Sequence, residues 1–200
     1  TTAFPGDRVR PWWYLLEDVL LAHSSIDLPD GATVVAETLE QKDALFMRLR
    51  RHFMSDPEQS RAAMAWLTGL LPEAGSATAQ TLFLDWDQIR AVARSPLGTI
   101  GAHTHTHPAL AQQPAAEVRE EVFGSRDRLH EQTGEVPRHF AYPYGGRNEV
   151  SVAVRQTVRA AGFGTAVSTR FGVVGRGVDP LDVPRVFFGP GQTLSGLGRE

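Results

Sequence analysis

Hydrophobic positions in the first third of the chain recur at helical spacing. In "PWWYLLEDVLLAH" (11–23) Trp12, Leu15, Leu16, Val19 and Leu20 repeat every three or four residues, and Pro11 suits a first helical position. Residues 37–54 and 57–71 carry two further helical patterns, the second opened by "SDPEQ" with Ser55 or Asp56 as cap. "LPDGA" reads as a turn, and "ATVVA" leaves room for one short strand. Residues 72–80, "PEAGSATAQ", form a small-residue linker.

The pattern then changes to alternation. "LDWDQIRAVARS" predicts a helix with Asp85 as N-cap and Gln88 three residues on, a capping-box arrangement. "GTIGAH" predicts a short strand, and "QPAAEVREEVFGSRDRLHEQTG" a long helix ended by Gly134. "RHFAYP" is a strand, "NEVSVAVRQTVRAAG" a helix capped by Asn148 and closed by Gly162, and "FGTAVS" and "VPRVFF" are two more strands. Alternating helices and strands argue for an α/β fold with parallel βα units. In such folds chemistry gathers at the carboxyl ends of the strands. Two predicted strands end in the most distinctive sequences of the chain, "GAHTHTHP" and "FAYPYGG".

Composition narrows the picture. Two hundred residues suit one domain with a full core. The net charge of −3 argues against electrostatic binding of nucleic acid. There is no cysteine, which excludes disulfides, thiolate metal sites and cysteine nucleophiles. That absence suits either redox compartment, with the cytoplasm slightly favoured. No apolar run reaches transmembrane length. An oligomer is compatible with the pattern. The start, "TTAFPGDRVRPWW", reads as the tail of a strand entering a loop.

Three of the seven histidines stand at alternate positions, His103, His105 and His107. Neutral imidazole is a common metal ligand. Histidines two apart share one face of a strand; histidines four apart share one face of a helical turn. Spacing alone allows either pair, and it also allows a plain Thr/His edge strand. Pro108 disfavours helix at His107. The reading adopted is a strand ending near His103, then a tight turn that returns His107 to the same side and sends His105 elsewhere.

In "RHFAYPYGG" a strand places Arg138, Phe140 and Tyr142 on one face. Gly145 and Gly146 let backbone approach a ligand, and an exposed N–H at such a turn stabilises a developing oxyanion. The alternative is a strand followed by an ordinary turn. Trp86, Tyr142 and Tyr144 are candidates to line a sugar site, with Trp86 equally suited to a core.

Together these stretches resemble the polysaccharide deacetylases of the NodB-homology type (carbohydrate esterase family 4), over roughly residues 80–188. "HTHTH" is similar to the family's H-[ST]-x-x-H motif and "RHFAYPYG" to its R-x-F-x-x-P-x-G motif. The resemblance implies a partial, distorted (β/α) barrel, here with a helical insertion at residues 30–78. It implies a divalent metal, usually Zn2+, held by two histidines and one aspartate, and an acetylated glycan or amino-sugar substrate. Carried over by position, His103 and His107 are the metal ligands and His105 the variable residue. The Tyr144 N–H helps hold the oxyanion, Arg138 orients a catalytic aspartate, and Tyr142 and Pro143 touch substrate.

The chain also departs from that pattern. The T-F-D-D-G motif, which supplies the base and the carboxylate ligand, is absent, and no Asp-Asp pair occurs. No histidine follows His139 to supply the usual acid. The preferred explanation is a first strand lying upstream of Thr1; the alternative is a non-catalytic carbohydrate-binding relative. A third reading, an amidohydrolase using His103 and His105, lacks the downstream histidines it needs. Asp85 and Asp87 are expected to cap a helix rather than bind metal.

Overall fold

The computed structural model describes residues 1–5, 10–71, 83–187 and 189. The described residues form two hydrophobic cores rather than one. The first is helical. α1 (Trp12–Ala22), α2 (Leu39–Phe53) and α3 (Pro57–Gly69) pack together with an antiparallel pair, β1 (Ser25–Asp27) and β2 (Thr33–Val35). Leu16, Val19, Leu45, Leu49, Phe53 and Leu67 close this core. Its helix ends follow local chemistry. Thr38 and Gln41 make a capping box at α2, and Asp56 accepts from the Glu58 and Gln59 N–H groups at α3. The helical unit therefore starts at α1, earlier than residue 30. Pro11 sits at the N-cap of α1 rather than inside it. The linker at residues 72–80 lies outside the described residues.

The second core carries the sheet. β3 (His139–Ala141), β4 (Thr165–Phe171) and β5 (Val183–Arg185) run parallel in that order. Ala102 adds one parallel rung beside Phe140, its N–H donating to the His139 carbonyl and its carbonyl accepting from the Ala141 N–H. The expected strand "GTIGAH" is thus reduced to a single bridge. No closed sheet is seen among the described residues, so the expected barrel is not confirmed; the sheet is open and short. The parallel pairing of β3 and β4, joined through the helix Val152–Ala160, is the βα arrangement that the helix–strand alternation predicts, while β4 and β5 are joined by a loop without a helix.

Helices α4 (Trp86–Ala93), α5 (Ala115–Thr133) and α6 (Val152–Ala160) belong to this half. α4 has the expected Asp85–Gln88 capping box, and α5 ends at Gly134 in a left-handed conformation. α6 is capped by Ser151, not Asn148. The Ser151 side chain accepts from the Val154 N–H, and its extended backbone makes it the last non-helical residue. Val118, Val122, Leu129, Val154 and Val158 press against Phe140, Tyr142, Phe163 and Ala166.

Tyr142 shows how tightly this core is organised. The side chain is 1% exposed, and its hydroxyl donates to the Leu181 carbonyl at 2.7 Å. Burial pushes the phenol well above its ordinary pKa. Tyr142→Phe leaves that carbonyl without its donor. We expect a loss of about 1 kcal/mol in urea unfolding; an unchanged midpoint would show that the bond contributes nothing.

Candidate active site

The histidine loop begins one residue beyond the Ala102 bridge, at the carboxyl edge of the sheet. Three non-glycine residues among those described have left-handed backbone: Thr104 (φ 61°), His107 (φ 71°) and Tyr144 (φ 59°). All three lie in the two loops singled out from the sequence. Left-handed backbone is disfavoured for L residues and persists only where the surroundings hold it.

The Thr104–His107 turn folds His107 back onto His103, with ring centroids 4.7 Å apart. Thr104 is fully buried. Its hydroxyl donates to the His103 carbonyl and accepts from the His107 N–H. His105 points the other way, its Nδ1 2.8 Å from the Thr2 hydroxyl. Thr2 and Ala3 donate backbone N–H bonds to the Thr104 and His105 carbonyls, so the first residues run alongside the turn.

The ring nitrogens of the pair are set differently. His103 Nδ1 lies 2.7 Å from the Ala141 carbonyl. A carbonyl only accepts, so Nδ1 carries the proton and Nε2 keeps its lone pair. His107 Nδ1 is buried with no partner. Burial holds both imidazoles neutral. It lowers the His103 pKa to about 4 against the raising effect of the Ala141 bond. It lowers that of His107 to about 3, helped by the neighbouring His103. Neutral imidazole is the metal-binding form.

Aromatic rings wall the pair. His107 meets Trp13 at 4.9 Å on one side and Tyr144 at 4.8 Å on the other, both edge-on. Trp12 Nε1–H donates to the Tyr144 hydroxyl at 2.9 Å, while its ring stacks flat on Phe53 at 4.7 Å. Burial raises the Tyr144 phenol to about 12, opposed by the Trp12 bond. The helical unit thus supplies one side of the site through α1. Sequence reasoning assigned Trp12 to a helical face and missed Trp13 altogether. The available signal was the doublet itself: neighbours on a helix point about 100° apart, so both cannot face one core.

The second loop is shaped by Gly145. A Cβ there would lie 2.7 Å from the Thr169 backbone N, and its φ is 65°. The close approach that Gly145 permits is to β4. The Thr169 hydroxyl donates to the Tyr144 carbonyl and the Thr169 N–H to the Gly145 carbonyl. Gly145→Ala should cost about 2 kcal/mol and displace Tyr144. Thermal unfolding with Tyr144 ring shifts by NMR would check this; wild-type values for both would contradict it.

Other expected residues fall elsewhere. Arg138 is exposed at the amino end of β3, where it lines a cavity with Gly98, Thr99 and Glu135. It is not brought to the histidine pair, which sits at the opposite strand end. Tyr142 and Pro143 are buried in the core, so neither offers a surface to substrate. Trp86 packs against the main core with Arg128 over its ring. Asp85 caps α4 as expected, whereas Asp87 does not cap it but lies in its first turn and pairs with Arg90 at 2.7 Å. Asp182 is held by Arg155 and Arg170, and Asp179 by Arg155 and Arg159.

The donor set fits two positions of a metal centre: one imidazole with its tautomer fixed by a carbonyl, the other with an orphaned buried nitrogen. It does not supply a third. No group of three His, Cys, Asp or Glu side chains converges among the described residues.

This arrangement places a loop-borne histidine pair at the carboxyl edge of a parallel sheet in an α/β domain. Residues 57–166, more than half of the chain, match the model of the polysaccharide deacetylase family. The chain belongs to that family. Among solved structures it is similar to the Streptococcus pyogenes deacetylase PplD in complex with acetate, with 24% identity and a TM-score of 0.52 over 62% of this chain and 52% of that one. It is also similar to a de-N-acetylase from Aggregatibacter actinomycetemcomitans, with 18% identity and a TM-score of 0.51 over 64% and 56% of the two chains. These likenesses show the fold. The chain spans about half the length of the structures it matches. No curated protein sequence matches it. No helix is long and apolar enough to cross a membrane among the described residues.

Proposed function

We propose that the chain is part of a metal-dependent deacetylase that hydrolyses N-acetyl or O-acetyl groups on a polysaccharide or amino-sugar glycan. The observation that carries this reading is the pair of neutral, buried imidazoles of His103 and His107, in contact with each other and walled by Tyr144. Those two residues would hold a divalent cation, with zinc the metal that imidazole donors suit. Bound there, the cation supplies Lewis-acid polarisation of the acetyl carbonyl and a lowered pKa for water.

The chain's own groups have separable tasks. The Ala141 carbonyl fixes the His103 tautomer. The Tyr144 N–H makes no hydrogen bond to any described residue and is free to donate to a developing oxyanion. Trp12, through its bond to the Tyr144 hydroxyl, holds that ring beside His107. Trp13 beside His107 excludes water from one side and offers an apolar surface to an acetyl methyl or a sugar face. The reading requires a carboxylate from outside the described residues.

The test is acetate release from chitin oligomers and acetylated xylan by the full-length protein, before and after chelation and zinc return. Zinc-dependent acetate supports the reading; none from any acetylated glycan overturns it. One observation favours a second reading. No carboxylate converges on the pair among the described residues, as a carbohydrate-binding relative without catalysis would have it. That relative would bind the same oligomers and release nothing.

A further inference from the structure

The turn that brings His103 and His107 together is not held by its own residues alone. Thr104 satisfies the His107 N–H, but the two amides between them need another acceptor. Glu121, on α5, provides it. Its Oε2 accepts from the His105 N–H and the Thr106 N–H, each at 2.8 Å, and its Oε1 accepts from the Thr106 hydroxyl. One carboxylate therefore engages both backbone amides between Thr104 and His107, together with the Thr106 hydroxyl. The helix that carries it is locked to the core through Val118, Val122, Ser125 and Leu129. The turn is a backbone concavity filled by an anion, and the anion belongs to the protein.

We propose that Glu121 is a positioning residue for the histidine pair. It holds the disfavoured backbone at Thr104 and His107 by bonding the amides between them, and so sets the distance between the two rings. Its own carboxylate is fully engaged with the turn, so it acts through the loop and not as a ligand. The inference rests on the reading of His103 and His107 as a working pair, and its primary test does not require a metal.

The experiment uses the full chain with Glu121→Ala, Glu121→Asp and Glu121→Gln. Amide hydrogen exchange is followed by NMR at His105 and Thr106, with Ala141 and Val167 on the sheet as internal references. In Glu121→Ala and Glu121→Asp the two turn amides should exchange at least about tenfold faster while the reference amides are unchanged, because Asp is one methylene short. Glu121→Gln keeps an acceptor oxygen at the same reach and should restore most of the protection. Zinc affinity by chelator competition should fall about tenfold in the Ala and Asp variants and recover in Gln. Unchanged exchange at His105 and Thr106 in either short variant overturns the proposal. Equal acceleration of turn and sheet amides also overturns it, since Glu121 would then stabilise the whole domain. His103→Ala is the control for the metal. If it leaves zinc affinity intact, the metal reading fails, and the amide exchange still decides the role of Glu121.

Discussion

His107→Ala or His103→Ala should lower zinc affinity at least about tenfold, whereas His105→Ala should leave it within about twofold. The three histidines are equivalent by spacing along the chain but not in space. His103 and His107 are in ring contact, and His103 has its Nδ1 proton committed to the Ala141 carbonyl, which leaves Nε2 as the donor. His105 faces Thr2, on the far side of the turn. With two imidazoles converging, each carries a large share of the affinity, and loss of either leaves one imidazole to hold the metal. Titration of the three variants against a chromophoric chelator separates the geometries. Equal loss on changing His105 would favour a strand-borne H-x-H pair and sink the loop-borne one. Retention of zinc on changing His107 would do the same.

The convergence of that pair was legible because two local rules bear on it. Pro108 disfavours helix at His107, and convergence at the i to i+4 spacing then needs a tight return. Two helix starts were legible for the same kind of reason: Asp85, and Asp56 as one of two candidates, announce a cap within the residues that use it, whereas the Thr38 cap was not read from the sequence. Ser151 misled because Asn148 is an equally good cap by type, and only the backbone path decides between them. The strands were harder. Three-residue strands such as His139–Ala141 carry too little pattern to fix their length, and Ala102 joins the sheet through a single rung. Nothing in "SSID" and "ATVV" announced that they pair.

Long-range contacts account for what the sequence hid at the site. Trp13 reaches His107 across 94 positions, and Glu121 reaches the turn from a helix whose pattern marks it only as a polar face. Arg138 lies apart from the histidine pair for a simpler reason. Sharing a strand face with Phe140 and Tyr142 says nothing about which end of the strand a side chain serves. Three residues of β3 separate it from the loop that bears Tyr144, so the same motif that marks the site also contains a residue at the opposite strand end.

The metal-free chain should lose stability steeply in mild acid, with the histidine pair as a principal cause. Unfolded histidine titrates near 6.5, while burial lowers His103 to about 4 and His107 to about 3. Above 6.5 both states hold neutral rings and the pair carries no pH-dependent cost. Below 6.5 the unfolded chain takes up protons that the folded pair refuses, so the native state loses ground as pH falls, until the folded pKa values are passed. At about 1.4 kcal/mol per pH unit, the loss is on the order of 3 kcal/mol for each ring by pH 4. That is a sizeable part of the 5–15 kcal/mol typical of folded domains. Urea unfolding of the chelated protein at pH 7, 5.5 and 4 measures this slope. His107→Phe, which keeps an apolar ring between Trp13 and Tyr144, should flatten it by about half. Zinc should steepen it further, because protons then compete with metal for the same nitrogens. A slope unaltered by His107→Phe would mean that the acid sensitivity resides in other groups and that the rings are more hydrated than their burial implies.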